Sequence, residues 1–302
     1  SPRHHIMDLL QRFSFQGLPI RGQWVRLTET LSGIAQYQNY PPDVQALLGE
    51  MFAAVTMVAD NLKFSGAVSL QSQGDGALIR SLAECRDQQY LRGIAHLAED
   101  LTTSPRSNSL ADWLGKGQLA LSLLPDKTTG MNPYQGLVAI DSRGLAASLE
   151  GYFANSEQLQ TRLHFASARG ATTGLLLQRL PDAPNAAETT ITQAEDDWQT
   201  LTTLAASVTA AELVGLPPEQ ILNRLFHEYP CELYSPRALS FRCTCSPEKS
   251  DETLMVLGRE DLLALADELP EIHVDCEFCG KRYAYKKKAV DALLAKRAAA
   301  LH

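Results

Sequence analysis

Apolar and polar positions divide the chain into three stretches of different character. From Ile20 to Leu27 the run IRGQWVRL alternates as a half-buried strand does, and Thr28 is placed to cap a following helix. Pro41 and Pro42 precede VQALLGEMFAAVTMVADNLKF, in which Val44, Leu47, Leu48, Met51, Val55 and Val58 recur near the helical period. Gly66 closes that helix, AVSLQSQ alternates again, and Gly74-Asp75-Gly76 marks a turn. Further strands are expected at 91–97, 117–124, 134–140, 162–167 and 174–180, with a helix over 145–158. Strands in runs with helices between them predict an α+β fold, its N-terminal core domain covering residues 1–180.

At Pro181 the pattern changes. PDAPNAAETT is small, polar and proline-containing, as linkers are. Thr192 and Glu195 have capping-box spacing ahead of Trp198, Leu201, Ala205 and Val208 on one helical face. PPEQILNRLFHEY predicts a second helix, with prolines in its first turn. Threonines lower the helix propensity of the first, and both need a docking surface to fold. Residues 181–240 therefore read as a metastable helical linker. Residues 241–302 form a small unit: a strand at FRCTC, a helical stretch from Asp251 to Glu268, a strand at EIHVDC, a turn at CEFCG and a basic C-terminal helix. A unit of that size seldom holds together on a hydrophobic core alone.

Charge sharpens the division. The net charge of −8 is concentrated in the middle stretch, where nine carboxylates face only Arg224 and Arg237. Between residues 180 and 223 there are seven carboxylates and no Lys or Arg, so unrelieved repulsion is expected there. No apolar run approaches the ~20 residues of a membrane span, and SPRHHIMDLLQRF has no apolar core of a secretory signal. A cytoplasmic protein without membrane partners is the expectation, and in a reducing compartment its six cysteines are thiols, metal ligands or redox sensors.

Four of them carry the chemistry. Cys243-Thr-Cys245 and Cys276-Glu-Phe-Cys279-Gly stand 30 residues apart. CxxCG followed by a basic residue and Tyr283 has the form of a zinc knuckle, with Gly280 letting the backbone curl under the ion. Two pairs supply four thiolates, a complete tetrahedral shell for one Zn²⁺ with no open position, which suits a structural or switching metal. Each pair can also close on itself as a disulfide, and metal-bound thiolates are already deprotonated and open to peroxide. Cys85 reads as a buried apolar residue and Cys231 as incidental. His4 and His5 read as surface residues, and His273 is not needed as a ligand beside four cysteines.

Two other classes would use parts of the same sequence. A thiol–disulfide oxidoreductase would use CEFC, but the motif does not open a helix in a thioredoxin-like pattern. A zinc-containing nucleic-acid module would use the basic tail, Lys281, Arg282, Lys286, Lys287, Lys288, Lys296 and Arg297, but a pI near 5.4 opposes it. QGDG at 73–76 lacks the ending of a phosphate loop. No catalytic constellation stands out, and no enzymatic activity is expected.

With these residues in view the chain resembles the heat-shock protein 33 family of redox-regulated bacterial chaperonins over nearly its whole length. The resemblance rests on the cysteine pairs and on Arg21-Gly22, Tyr40-Pro41, Leu62-Lys63-Phe64-x-Gly66, Gln71-x-Gln73-Gly74-Asp75-Gly76, Leu91-Arg92-Gly93 and Tyr134-Gln135-Gly136. It rests also on Tyr152-Phe153-x-x-Ser156-Glu157-Gln158-Leu159-x-Thr161-Arg162. Ala77 departs from it, standing where the family commonly has proline. The resemblance implies a reduced, zinc-bound form that is inactive, with one Zn²⁺ per chain on Cys243, Cys245, Cys276 and Cys279. It implies disulfides Cys243–Cys245 and Cys276–Cys279 on oxidation, loss of zinc, and unfolding of the C-terminal unit and linker. The activated form would then hold unfolding client proteins without ATP, as a homodimer.

Overall fold

The computed structural model describes residues 8–99, 105 and 109–301; His4 and His5 lie outside them. The chain forms two compact units, divided between Phe241 and Arg242.

The first unit holds β1 (Leu9–Phe15), β2 (Ile20–Leu27), α1 (Glu29–Ala35), α2 (Pro42–Asp60), β3 (Gly66–Gly74), β4 (Leu78–Arg86), β5 (Tyr90–Leu97), α3 (Leu110–Leu114), β6 (Gly117–Pro125), β7 (Tyr134–Val138), α4 (Leu145–Ser156), β8 (Thr161–Ala168) and β9 (Ala171–Arg179). It continues through α5 (Glu188–Ala206), α6 (Ala210–Gly215), α7 (Pro218–Leu225), β10 (Cys231–Leu233), β11 (Arg237–Ala238) and β12 (Ser240–Phe241). One sheet runs β10-β1-β2-β9-β8, with β11 also on β1; the other runs β12-β5-β4-β3-β6-β7. Every pairing is antiparallel except β12 beside β5.

Both sheets pack on α2. The sequence pattern predicts one apolar face for this helix, yet residues all round it are buried, Ala53, Ala54 and Val55 among them. A helix covered on two sides has no solvent face to mark. Gly49 meets the side chain of Thr172 where a Cβ would stand 2.1 Å from its Oγ1, so the helix approaches β9 closely there. Thr28 does not cap α1 with its side chain. The buried carboxylate of Asp8 does that work, accepting the N–H groups of Thr28 and Thr30 at 2.7 Å and of Glu29 at 3.2 Å.

The other face of the first sheet carries Phe13, Phe15, Ile20, Trp24, Leu175 and Leu177, and the acidic segment lies on it. Trp198, Leu201 and Ala205 of α5, Leu213 of α6, and Ile221, Leu222 and Leu225 of α7 complete that second core. Gly22 makes room for the Phe13 ring, which a Cβ would meet at 2.0 Å. The expected capping box at Thr192 and Glu195 is not formed, because α5 starts at Glu188. A capping box stands instead at Thr209 and Glu212, opening α6.

The carboxylates of this segment are also less isolated than their spacing suggests. Arg179 at the end of β9 pairs with Glu195 and, at 3.2 Å, with Asp182, while Arg224 donates to Glu212 at 2.7 Å. Arg26 of β2, stacked 5.1 Å from the Trp24 ring, donates to the carbonyls of Leu213, Val214 and Leu216 at the end of α6. Buried Asp60 takes Arg237 of β11 at 2.8 Å and Gln23 at 2.9 Å. Arg179 and Arg224 relieve the carboxylates they meet, while Arg26 ties the end of α6 to the sheet through its carbonyls.

The second unit contains α8 (Pro247–Leu254), α9 (Arg259–Glu268), β13 (Ile272–Asp275), β14 (Arg282–Tyr285) and α10 (Lys287–Ala300). The single helical stretch expected from 251 to 268 is two helices, with Gly258 capping the second. The strand expected at FRCTC stops at Phe241. The unit's buried apolar core is only Leu254, Leu262, Ala266, Ile272, Tyr285, Val290 and Leu294. No helix among the described residues is long and apolar enough to cross a membrane.

Candidate metal centre

The cysteine site is built on the β13–β14 hairpin. Its strands pair from Ile272↔Tyr285 to Asp275↔Arg282, and Arg282 closes the end on Asp275 at 2.7 Å. The connecting turn holds Cys276 and Cys279. Cys276 N–H donates to Lys281 O at 2.9 Å and Gly280 N–H to Cys276 O at 2.8 Å. Gly280 takes φ +69°, a conformation that glycine enters without steric cost.

The other pair precedes α8. Ser246 caps that helix, accepting Lys249 N–H at 3.2 Å, and Pro247 follows at its first position. Lys249 Nζ returns to Thr244 O at 2.8 Å, fixing the residue between the two sulfurs. This support was missed in the sequence, although Ser-Pro directly after Cys245 is a helix-start signature. Tyr285 adds a further tie from the hairpin, its hydroxyl lying 2.8 Å from Ser250 Oγ.

These supports bring all four sulfurs within 4.8 Å of one another. Cys243 Sγ lies 3.5 Å from Cys276 Sγ, and Cys245 Sγ 3.5 Å from Cys279 Sγ. A tetrahedron with metal–sulfur bonds of about 2.3 Å has edges of about 3.8 Å, so the spacing fits one tetrahedral ion. Tyr283 O–H donates to Cys245 Sγ at 3.2 Å, an outer-shell contact of the kind that orients ligands.

Without a cation four sulfurs cannot all ionise. Burial raises the Cys279 thiol, which is pushed up to about 12, and burial likewise raises Cys243. At Cys245 burial is outweighed by hydrogen bonds from Tyr283 and the neighbouring sulfurs, and its thiol falls to about 7. A bound dication would favour the thiolate form of each of these sulfurs.

The remaining candidates stand apart. Cys85 is fully buried on β4 and burial pushes its thiol up to about 12. Cys231 sits on β10 opposite Phe15, and burial pushes its thiol up to about 11. His273 pairs with Glu271 at 2.8 Å and takes no place in the cluster. CEFC lies in a hairpin turn and does not open a helix. In the basic tail Arg282 pairs with Asp275 and Lys287 with Asp267.

The family model described as Hsp33 protein matches residues 8–286, a span that takes in both cysteine pairs. The chain belongs to the Hsp33 family. Among its relatives, the 33 kDa chaperonin of Haemophilus influenzae is 37% identical over 295 residues, covering 96% of each chain. That of Pasteurella multocida is 38% identical over 288 residues, 94% of this chain and 95% of its own. The crystal structure of a 33 kDa chaperonin from Thermotoga maritima superposes with a TM-score of 0.80 over 96% of this chain and 99% of that one. At 20% identity that likeness speaks for the α+β fold. Within the Hsp33 family the four sulfurs gathered here give this member a site able to hold a metal ion.

Proposed function

We propose that this chaperone of the Hsp33 family is a cytoplasmic, redox-regulated holdase without enzymatic activity, switched by one Zn²⁺ on Cys243, Cys245, Cys276 and Cys279. The observation that carries it is the closed cluster of four sulfurs drawn from a CxC and a CxxC pair. Bound zinc would supply the charge that keeps four thiolates together and the cross-link that a seven-residue core needs.

Oxidation then acts on the sulfurs. In each pair one thiolate attacks peroxide to give a sulfenic acid and hydroxide, which takes a proton from solvent to become water. The second sulfur displaces hydroxide, which takes a proton to leave as water. Two disulfides, Cys243–Cys245 and Cys276–Cys279, account for four electrons and two peroxides. A shell without thiolates no longer holds a cation.

Metal binding contributes about 10–16 kcal/mol to folding in small zinc peptides, against about 5–15 kcal/mol for the stability of a whole domain. Its loss therefore unfolds residues 241–302, and the helices α5–α7 of the linker at 181–240 follow. Opening frees Trp198, Leu201 and Ile221 together with Phe13, Trp24 and Leu175 beneath them, an apolar surface for unfolding clients. The segment's carboxylates keep it in solution. The oxidised form is expected to pair as a homodimer.

The test measures metal content and suppression of thermal aggregation on one sample before and after warm peroxide treatment. One zinc per chain that leaves as holdase activity appears supports the switch. Zinc that stays bound, or activity indifferent to peroxide, removes it.

A further inference from the structure

The face of the first sheet beneath α5–α7 is not uniformly apolar. Two neighbouring rows cross it: Trp24–Leu175–His164 and Arg26–Thr173–Ala166. In those rows Trp24 Nε1, Arg26 Nε, His164 Nε2 and Thr173 Oγ1 are buried without a hydrogen-bond partner. Trp24, Leu175 and Ala166 belong to the core shared with α5–α7, and α6 packs on β8. Each unsatisfied polar group under a docked helix costs about 1–3 kcal/mol, relieved when water reaches it. These costs weaken docking, and one of the four groups is a histidine, the side chain whose ordinary titration lies nearest neutral pH.

The charges around His164 offer its proton no partner. Arg162, two residues away on the same face, opposes protonation. On α6 the carboxylate of Glu212 is taken by Arg224 and Thr209. On α4 Glu150 accepts the N–H of Leu163. At the end of β9 Arg179 is held by Glu195 and Asp182. α2, with Glu50 and Asp60, packs among the core residues of the sheet's opposite face.

We propose that His164 makes docking of the linker acid-sensitive: protonation of its half-buried imidazole, whose Nε2 is enclosed, releases α5–α7 while the cysteines stay reduced and the metal stays bound. This rests on the reading that α5–α7 is the segment that opens. Burial and Arg162 lower the affinity of His164 for a proton in the docked state. The open state regains an ordinary histidine near pH 6.5. Opening is then favoured as pH falls below that value, by up to about tenfold per pH unit for one proton, until the docked histidine protonates as well.

The experiment uses reduced, zinc-loaded, full-length protein between pH 7.5 and 5.5. Amide exchange of α5–α7, divided at each pH by the intrinsic rate of an unstructured amide, is followed together with zinc content and free thiols. The expected result is faster exchange below pH 6.5 with zinc retained. His164→Leu should flatten that profile. Thr173→Val, which does not titrate, should slow exchange at every pH and keep the slope. A wild-type profile that is flat while zinc is bound, or an unchanged slope in His164→Leu, overturns the proposal. Peroxide at pH 7.5 is a separate arm: opening there beside a flat acid profile removes the role of His164 alone, whereas helices that stay closed remove the redox reading alone.

Discussion

At Cys245 the hydroxyl of Tyr283 is a partner that a Phe would not supply. Outer-shell contacts of this kind are worth about 10–100-fold in metal affinity. Tyr283→Phe should therefore release zinc to a competing chelator at a 10–100-fold lower chelator strength, with the fold of the hairpin kept. Glu50 on α2 is a second informative residue, its carboxyl raised by burial to about 7. Such a group favours folding fully below its unfolded value near pH 4.5, and that contribution is lost as pH rises through 7. Glu50→Gln should thus stabilise the protein at pH 8 by up to about 3 kcal/mol and leave it little changed at pH 4.5, as urea unfolding at both values would read. The four ligand candidates were legible in the sequence because metal-binding pairs are local in spacing. Their supports were harder to see. Lys249 reaches back to Thr244, and Tyr285 reaches across to Ser250. Asp8 caps a helix twenty residues away, and no local pattern announces a contact of that length.

For whole elements, α5 combines a hydrophobic stripe with threonines and carboxylates, and it stands because a sheet face receives it. Trp198 is buried at the centre of that contact. Trp198→Ala should cost about 3–5 kcal/mol of docking and make residues 181–230 accessible to protease in the reduced, metal-bound protein. Cleavage no faster than in the parent would contradict this. The elements read correctly from the chain were those with a clean period, such as β2, β3 and β6. β1 and β4 do not stand out in the sequence because LLQRFSF and LIRSLAECR alternate poorly. The capping-box spacing of Thr192 and Glu195 puts the start of α5 five residues late, since that spacing falls by chance inside the helix. The ion pair of Arg179 with Glu195 and the hydrogen bonds of Arg26 to the carbonyls ending α6 are invisible for a different reason: the sheet brings these side chains to the helices.

Across the whole molecule the two units differ in what holds them. The first has two sheets on a buried helix, whereas the second has a small core beside its sulfurs. Stripping zinc from the reduced protein with a strong chelator should therefore remove the helical signal of α8–α10, and of α5–α7 with it, in circular dichroism and leave the sheet signal, with all four cluster thiols becoming titratable. Retention of the full helical signal would mean that seven apolar side chains suffice.

The strands that follow the acidic segment have a consequence for how it returns. β10 and β11 lie on β1, and β12 lies on β5, so the chain after α7 is stitched to the edges of both sheets. With β9 holding the other end, a released α5–α7 is a loop anchored twice in one sheet. Its ends stay at a fixed span, and closing it again is an intramolecular search at an effective concentration on the order of millimolar. Recapture is then a first-order process, as fast in a dilute cell extract as in a concentrated one, and a client held on the open face must compete with a lid that never drifts away.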